Sequence, residues 1–486
     1  MNRFARVTRN LAILFTGNLV NKAAGAVLFI VLARHVGASG LGKYAFAVAF
    51  TALFAALPDL GLNTMLVRAV ARDRSSASKY LGNVAALRAL LAVLAFCLTG
   101  IGLSVGVWTG RIKPDTAPIV WLVAGAAFFA SVGNGVRWSF QAFERLQYEA
   151  VLAGGESLLM LAGGVLVLVS GFGLIELTAV QLGLSVLACA AGLLLTTTRI
   201  ARPAFELDRA FCKQLIIGAV PFILMFVLTR VYFNFDTVLL SFLRGDAETG
   251  RYTAAYRFIT MFQMIPMLCN FAVFPVMVEA AAGPKEEFSR VVERSFRYMI
   301  ILGLGIGVTT TVFAAPIIQL LYGMKFVETA PVLRLLIWMS CCYFVTNVSY
   351  CAVIACHRER AVVTIGGIVL GTNVVCNLFL IPRWGATGAA CAILVSESLS
   401  CGLFLRQVAR SVEAIRWGRL FLRPVCAAAV TAIPAWLLLE THLVVGLGGV
   451  AVVYLVLLLL VGAIPAGDLR LARAFMSEKV RVQSEE

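Results

Sequence analysis

The sequence predicts an all-α polytopic membrane protein of about 14 transmembrane helices, with two parallel six-helix lobes around a central cavity plus two C-terminal helices. Of its 486 residues, 60% are hydrophobic and only 14% are charged. Apolar runs of about 20 residues recur almost from end to end, and each could cross a hydrocarbon core of about 30 Å. A soluble protein could not bury this much apolar surface, and no large soluble domain fits in the remainder.

An internal repeat divides the chain into two related halves. The segment Leu32–Tyr44 recurs as Leu240–Tyr252, at an offset of 208 residues and without a gap. Identical residues at this offset are Leu32/Leu240, Gly37/Gly245, Gly42/Gly250, Tyr44/Tyr252, Ala47/Ala255, Phe50/Phe258, Phe54/Phe262 and Pro58/Pro266. A helix, a glycine-containing turn and a second helix bent by proline have therefore been duplicated. The function is expected where the two halves face each other.

Fourteen apolar segments define the predicted helices and lobes. They are 11–33, 44–66, 83–107, 117–139, 148–170, 175–198, 214–243, 252–277, 298–321, 329–355, 361–381, 386–407, 420–440 and 443–465. The predicted domains are an N-terminal lobe (1–199), a cytoplasmic linker (200–213), a C-terminal lobe (214–408), two further helices (420–465) and a cytoplasmic tail (466–486). Because six helices separate the copies of the repeat, both copies begin on the same side and the lobes are parallel.

The distribution of basic residues predicts the orientation in the membrane. With the N-terminus in the cytoplasm, 28 of the 41 Lys and Arg residues fall in or beside cytoplasmic segments, 8 in outer loops and 5 deeper within helices. The 28 include Arg137, Arg406 and Arg423, which lie at the cytoplasmic ends of predicted helices. This bias follows the positive-inside rule and places both termini in the cytoplasm. Basic loops against anionic inner-leaflet lipids also explain the net charge of +16, so no nucleic-acid partner is predicted.

Three other patterns have simple structural explanations. Most of the twelve cysteines lie in apolar runs, and the nearest approach to a metal-ligand cluster, Cys351, Cys356 and His357, lacks both CxxC spacing and a second histidine. No metal site is therefore predicted.

The basic start of the chain resembles a signal peptide, but its apolar run continues to Ala33, which predicts an uncleaved first helix. The longest loop, 278–297, is predicted to be an interfacial amphipathic helix.

Two basic residues at membrane depth are the candidate substrate ligands. Lys22 lies near the middle of the first predicted helix, one turn after Asn18, and Arg230 lies at the equivalent depth of the seventh, one turn before Asn234. Charges at this depth are costly and face a polar cavity or a partner. Two cations related by the repeat would face one central cavity and bind an anion such as a phosphate. The alternative is that each pairs with a carboxylate or extends to the membrane surface.

Buried acids and a further arginine complete the candidate sites. Asp59 follows Pro58, which suggests a broken helix. Its carboxylate either binds a cation or proton during transport, or it only caps the helix or forms an ion pair. Asp236 is the second candidate for ion coupling. Glu156 and Glu397 are other acids within predicted helices, where structural pairing is as good an explanation. Arg257 would line the mouth of the cavity.

The order and spacing of several motifs resemble the polysaccharide-unit flippase family of the multidrug/oligosaccharidyl-lipid/polysaccharide exporter superfamily. The similar segments are Ala33–Gly37, Gly42–Tyr44, Asp59–Leu62, Arg68, Asp236–Leu240, Gly250–Ala255, Arg257, Leu321–Gly323, Asn373, Asn377, Ile381–Pro382 and Gly385–Ala390. Each motif is weak alone, and their order over residues 9–410 carries the resemblance.

This resemblance implies a transporter of the bacterial inner membrane and not an enzyme. It implies that two lobes open a central cavity alternately to either side and move an oligosaccharide on an undecaprenyl pyrophosphate carrier for surface polysaccharide synthesis. It also implies coupling to a proton or sodium gradient without a bound cofactor, with membrane lipids and other polysaccharide-assembly proteins as partners. The single basic residue of the first helix is unlike the lipid II flippase branch, which commonly carries several arginines there. A cation-coupled multidrug exporter of the same fold and a membrane-embedded glycan polymerase or acyltransferase remain the alternatives.

Overall fold

The computed structural model describes residues 3–55, 57–58, 77–143, 145–199, 228–412, 415, 417–440, 442–465 and 467, apart from the side chains of 3–16, 18, 77–81, 136 and 142. This described part of the chain is helical and contains no strand, which confirms the predicted all-α class. Its helices are α1 (Arg3–Phe54), α2 (Ala77–Trp108), α3 (Ala117–Ala142), α4 (Leu146–Val169), α5 (Leu174–Arg199), α6 (228–244), α7 (Asp246–Phe262), α8 (Met264–Ala281), α9 (Lys285–Val312), α10 (Ala314–Tyr322), α11 (Ala330–Ala355), α12 (Glu359–Ala409), α13 (Trp417–Leu437) and α14 (Leu443–Leu460).

Eleven stretches of described helix are long and apolar enough to cross a membrane, so the chain is a multi-pass membrane protein. Leu19–Phe54 and Glu359–Ala409 contain 36 and 51 residues. At 1.5 Å per residue they are about 54 and 77 Å long, more than one crossing of about 30 Å requires. Each contains one glycine with a non-helical backbone, Gly37 in the first and Gly385 in the second. The exact number of fourteen spans stays a prediction.

The duplicated turn is reduced to a single residue in each repeat. Gly37 and Gly245 have φ angles of 69° and 84°, in the left-handed region that glycine adopts without strain. The helix resumes at once at 38 and at Asp246, whereas the sequence predicted loops as far as 43 and 251. The predicted loops are too long because one left-handed glycine suffices to redirect the chain.

Proline ends the second helix of both repeats at the equivalent residue. Helix α1 ends at Phe54, four residues before Pro58, and helix α7 ends at Phe262, four residues before Pro266. Proline has no N–H to donate to the carbonyl four residues earlier, so the regular helix is interrupted there. The predicted duplication of helix, glycine turn and proline-interrupted helix is confirmed.

The structure divides into two compact units. The limits of the predicted lobes stay a prediction. Unit 1 is Met1–Ala254 with Asn377–Ala389, and unit 2 is Ala255–Cys376 with Ala390–Glu486. In unit 1, α1 packs on α4 and α3 packs on α5, and in unit 2 α9 packs on α11 and α13. The cores are apolar, with Phe46, Phe50, Leu103, Val120 and Val238 buried together in unit 1, and Ile301, Ala427, Ala428, Tyr454 and Leu458 in unit 2.

The predicted interfacial helix at 278–297 is wrong as a separate element. Helix α8 ends at Ala281, and α9 begins at Lys285 and continues to Val312 without interruption. The apolar residues Phe288, Val292 and Phe296 recur every four positions and are buried, and Phe296 contacts Trp417 of α13 with ring centroids 5.6 Å apart. The apolar face of residues 285–297 therefore packs against protein, and this segment forms the first part of helix α9.

Candidate functional site

Lys22 and Arg230 occupy matching positions in two helices of unit 1. Lys22 precedes Gly37 by 15 residues in α1, and Arg230 precedes Gly245 by 15 residues in α6. Both intervals are continuously helical, so each basic residue lies about 22 Å of helix from its glycine turn. Both side chains are exposed on the protein surface. The repeat thus places two accessible cations at the same depth.

Neither cation is neutralised by a described carboxylate. Within the described ranges, no Asp or Glu lies at ion-pair distance from Lys22 or Arg230. The alternative in which each pairs with a carboxylate therefore has no support in that part of the chain. An unpaired charge near mid-membrane costs about 2.5–3.5 kcal/mol on insertion scales, which an anionic ligand would offset.

The neighbouring amides have partners of their own. Asn21 accepts a hydrogen bond of 2.8 Å from the hydroxyl of Ser157 in α4. The Asn234 amide nitrogen donates to the main-chain carbonyl of Arg230 at 2.9 Å, so it contacts its own helix. The side chain of Asn18 and the whole of Asp59 lie outside the described residues. The assignment of Asn18 and Asn234 to substrate, and of Asp59 to ion coupling, stays a prediction.

Arg257 belongs to unit 2 and is described there by itself. Its side chain on α7 is exposed, and its charge interacts with the hydroxyl of Tyr322 on α10. The Arg257 main-chain carbonyl accepts a hydrogen bond of 2.7 Å from Thr260. Its predicted contact with substrate stays a prediction.

Asp236 is a buried carboxylate with hydrogen-bond donors but no described cation. Its side chain accepts hydrogen bonds from the phenol of Tyr252 and from the main-chain N–H of Thr237, the latter at 2.7 Å. Asp236 and Tyr252 are only 3% and 1% exposed. Arg230, six residues earlier on the same helix, forms no ion pair with this carboxylate, as their helical spacing predicts. A change in the charge of Asp236 would therefore break no ion pair among the described residues, and its role in ion coupling stays a prediction.

The other two acids within helices have different surroundings. Glu156 accepts from Arg137 at 3.1 Å, and Glu149 accepts from the same guanidinium at 3.2 Å, so Glu156 is part of a structural ion pair. Glu397 is buried in α12 and interacts electrostatically with Tyr343 of α11.

Two polar contacts in the structure were not predicted from the sequence. Tyr252 is the hydrogen-bond partner of Asp236, and its presence in both copies of the repeat was the one available signal. The ammonium of Lys113, in the connection between α2 and α3, lies 2.8 Å from the carboxylate of Asp246 at the start of α7. These two residues are 133 positions apart, and no local pattern links them.

An apolar groove lies among the described helices of unit 2. It has a volume of about 610 Å³ and lies among α7, α9, α10 and α14. Its lining includes Phe258, Phe262, Leu302, Leu321 and Leu455. Such a surface suits a hydrocarbon chain and offers few groups for a polar ligand.

Family models match most of the chain. The model described as polysaccharide biosynthesis protein matches residues 7–281, more than half of the length. A second model, described as MatE, matches residues 221–379. The chain is also similar to the probable flippase AglR of Haloferax volcanii, with 23% identity over 419 residues that cover 85% of each protein.

Solved structures show the same fold. The lipid II flippase MurJ in an inward closed conformation has a TM-score of 0.75 at 14% identity, covering 92% of this chain and 98% of its own. An inward-facing multidrug resistance MATE family transporter has a TM-score of 0.60 at 17% identity, covering 79% and 94%. A mutant of the Vibrio cholerae MATE transporter VcmN has a TM-score of 0.57 at 13% identity, covering 86% and 98%.

Proposed function

The chain belongs to the polysaccharide biosynthesis protein family, and from this premise we propose that it is a flippase for lipid-linked oligosaccharides. Its substrate is an oligosaccharide carried on undecaprenyl pyrophosphate, which it moves across the bacterial inner membrane for surface polysaccharide synthesis. The two lobes expose the bound unit alternately to each side. The protein catalyses no covalent chemistry, and both termini lie in the cytoplasm.

The paired cations Lys22 and Arg230 carry this proposal. They lie at equal depth, are exposed, and have no described carboxylate partner. A pyrophosphate carries several negative charges and presents oxygens to both a guanidinium fork and an ammonium. Charged hydrogen bonds are strong in a cavity of low dielectric, so the two residues hold the headgroup together. Arg257, Asn18 and Asn234 contact the same unit.

The remaining parts of the substrate have surfaces of matching chemistry. The polyprenyl chain stays in the bilayer, and the apolar groove among α7, α9, α10 and α14 provides a surface for it. Asp236, and Asp59 outside the described residues, couple transport to a proton or sodium gradient. A buried carboxylate without a cationic partner supports that role for Asp236.

A cation-coupled multidrug exporter of the same fold is the second candidate. Asp236 favours it, because an intramembrane carboxylate suits a cationic cargo. The exposed cations Lys22 and Arg230 oppose it, because they repel such a cargo. A glycan polymerase or acyltransferase is the third candidate. Two features of the sequence oppose it: no predicted outer loop exceeds about ten residues, and the three histidines, His35, His357 and His442, are scattered along the chain.

Deletion of the gene tests the proposal against both alternatives. Surface polysaccharide should disappear while lipid-linked units accumulate on the cytoplasmic side, and the wild-type gene should restore it. A Lys22→Glu/Arg230→Glu gene expressed at the same level is the matched control and should not restore it. Unchanged glycan together with export of organic cations by the purified protein would establish the exporter. Polymerisation or acylation of glycan in detergent, without a bilayer, would establish the enzyme.

A further inference from the structure

Two glycines of the repeat pack reciprocally against each other's turn in unit 1. A Cβ atom built on Gly42 would lie 1.7 Å from the carbonyl oxygen of Asp246, and one built on Gly250 would lie 1.9 Å from the carbonyl oxygen of Ala38. Residues 38 and 246 are themselves separated by 208 positions, so the two contacts are copies of each other. We call this pair of contacts, Gly42 with Asp246 and Gly250 with Ala38, the closing contact.

The closing contact leaves no space for any side chain. Non-bonded carbon and oxygen atoms do not approach to 1.7 or 1.9 Å, so the backbones would have to separate by more than 1 Å to admit a methyl group. Glycine in a helix costs about 1 kcal/mol relative to alanine. Small residues offset that cost where two helices must approach closely. Gly183 in α5 has no such requirement, because nothing lies within 4 Å of its built Cβ.

Side chains beside this contact also join the two repeats, and Val238 of α6 shares a buried core with Phe46 and Phe50 of α1. Lys113 pairs with Asp246 at 2.8 Å, and the rings of Phe46 and Phe242 lie with centroids 5.4 Å apart. The side chain of Lys113 is 62% exposed, so its ion pair contributes little in water. All these interactions join residues of different segments of the chain, so they can break without unfolding either helix.

We propose that Gly42 and Gly250 are the closing residues of the transport cycle. The helical turns that follow Gly37 and Gly245 meet at Gly42 and Gly250 when the end of the transport pathway beside them is closed. They separate when that end opens. A side chain at either position holds that end open. This inference rests on the proposed flippase function, because it assigns a step of the cycle to the contact.

Hydrogen exchange on the purified protein in lipid nanodiscs tests the contact directly. First-turn amides of a helix lack carbonyl partners in their own helix, so their protection depends on what covers them. Gly42→Ala should speed exchange at least about tenfold in the peptide 246–254, and Gly250→Ala should do the same in the peptide 38–46. The effect appears in the unmutated repeat, about 200 residues away in sequence. Gly183→Ala is the matched control and should leave both peptides unchanged.

The double variant tests reciprocity. Because one added methyl group already separates both backbones, Gly42→Ala/Gly250→Ala should exchange within about twofold of either single variant. Unchanged exchange in the opposite repeat would overturn the proposal. Faster exchange throughout unit 1 with lower thermal stability would also overturn it, because it would identify a permanent packing seam. If the alanine variants do not accumulate, Phe242→Leu, which removes the ring pair with Phe46 but keeps an apolar side chain, should still speed exchange at 246–249 severalfold, and no change there would count against the contact.

These measurements test the closing contact independently of the identity of the transported molecule. Exchange needs no substrate, so a protein that moves a different molecule would still show the reciprocal effect. Loss of surface polysaccharide in the Gly42→Ala and Gly250→Ala strains, with normal protein levels, would join the contact to transport. Normal polysaccharide in strains whose proteins show fast exchange would overturn the assigned step while leaving the flippase function intact.

Discussion

Asp236 of α6 accepts a hydrogen bond from the phenol of Tyr252 in α7, across the left-handed turn at Gly245. The tyrosine is duplicated, but the residue of the first repeat that corresponds to Asp236 is Leu28. The hydroxyl of Tyr44 in that repeat instead reaches Gln181 at 3.5 Å. The acid and phenol pair is therefore a property of the second repeat alone, and we expect the response to ions to arise there.

The first prediction concerns this carboxylate. Asp236→Asn keeps the shape and removes the charge, so transport should lose its response to an imposed proton or sodium gradient in proteoliposomes. Tyr252→Phe leaves a buried carboxylate with one donor fewer, which costs about 1–3 kcal/mol of stability. Tyr44→Phe is the matched control, because its hydrogen bond is long and only partly buried. The same gradient assay applies to Asp59→Asn, and a wild-type response in both Asn variants would remove both residues from ion coupling.

The second prediction concerns Lys22 and Arg230. Lys22→Ala or Arg230→Ala should abolish flipping without impairing membrane insertion, because removing a charge at membrane depth lowers the cost of insertion. Lys22→Arg and Arg230→Lys should retain part of the activity, since they keep the charge but change the donor geometry. Replacement by Glu should be worse than Ala because it repels the anion. Arg334→Ala, which removes an exposed arginine near the start of α11, is the control.

Surface polysaccharide and protein abundance in complemented cells measure these effects. Normal polysaccharide from well-expressed Lys22→Glu and Arg230→Glu proteins would return both residues to a structural role. The conservative Lys22→Arg and Arg230→Lys variants are the controls for folding, because they would also lose activity if any change at these positions impaired folding.

The fold was predictable from the sequence because the membrane restricts the possibilities. Long apolar runs must be helical in lipid, and a gap-free repeat of Gly37 and Pro58 as Gly245 and Pro266 fixes the equivalent turns and helix ends. Helix boundaries at those turns were less accurate, because one glycine replaces a loop of several residues. The region 285–297 was misassigned because an amphipathic pattern does not reveal whether protein or lipid covers its apolar face.

The candidate site was predictable only in part, for a different physical reason. Depth along a helix can be counted from the sequence, so the equivalence of Lys22 and Arg230 required no coordinates. Partners on other helices cannot be counted in this way. The hydrogen bond between Tyr252 and Asp236, and the ion pair of Lys113 with Asp246, depend on how helices pack. The closing contact at Gly42 also depends on how the helices pack, so the sequence alone could not predict it.

The third prediction concerns the ion pairs of Arg137 with Glu149 and Glu156. The Arg137 side chain is 9% exposed and pairs with both acids, so Arg137→Ala should leave two carboxylates without a cation in a largely buried place. Breaking a buried ion pair costs about 3–5 kcal/mol, and we expect the lower value because the carboxylates keep 31% and 30% exposure. Thermal unfolding in detergent measures this loss.

Two further variants test the electrostatic explanation of that loss. Adding Glu149→Gln and Glu156→Gln to Arg137→Ala should recover most of the stability, because it removes the uncompensated charges. Arg297→Ala, which breaks the more exposed pair with Glu293 on α9, should cost less than about 1 kcal/mol. An equal loss from Arg137→Ala and Arg297→Ala would contradict the argument from burial.

The fourth prediction concerns the pH dependence of Lys113. The hydrogen bond to Asp246, and the charge of that carboxylate, raise the pKa of the Lys113 ammonium above its usual range. A raised pKa stabilises the folded state at every pH below the unfolded value of about 10.4, and this stabilisation is lost as the pH rises through the folded value. Lys113→Gln should therefore lower the unfolding midpoint by no more than about 2 °C, by the same amount at about pH 7 and pH 9. Arg111→Gln, in the same connection, is the control, and a difference that grows with pH would contradict the sign of the effect.

The last prediction concerns topology. We expect both termini in the cytoplasm, because fourteen predicted spans are an even number and 28 basic residues fall in or beside the alternate segments assigned to the cytoplasm, against 8 in the others. A reporter that is active only in the periplasm should be silent when fused after Glu486, and a reporter active only in the cytoplasm should be active there. The same pair of reporters inserted after Gly110, between α2 and α3, should give the opposite result, because that connection is assigned to the outer side. Periplasmic activity after Glu486 would require an odd number of spans or the reverse orientation, and the result at Gly110 would decide between them.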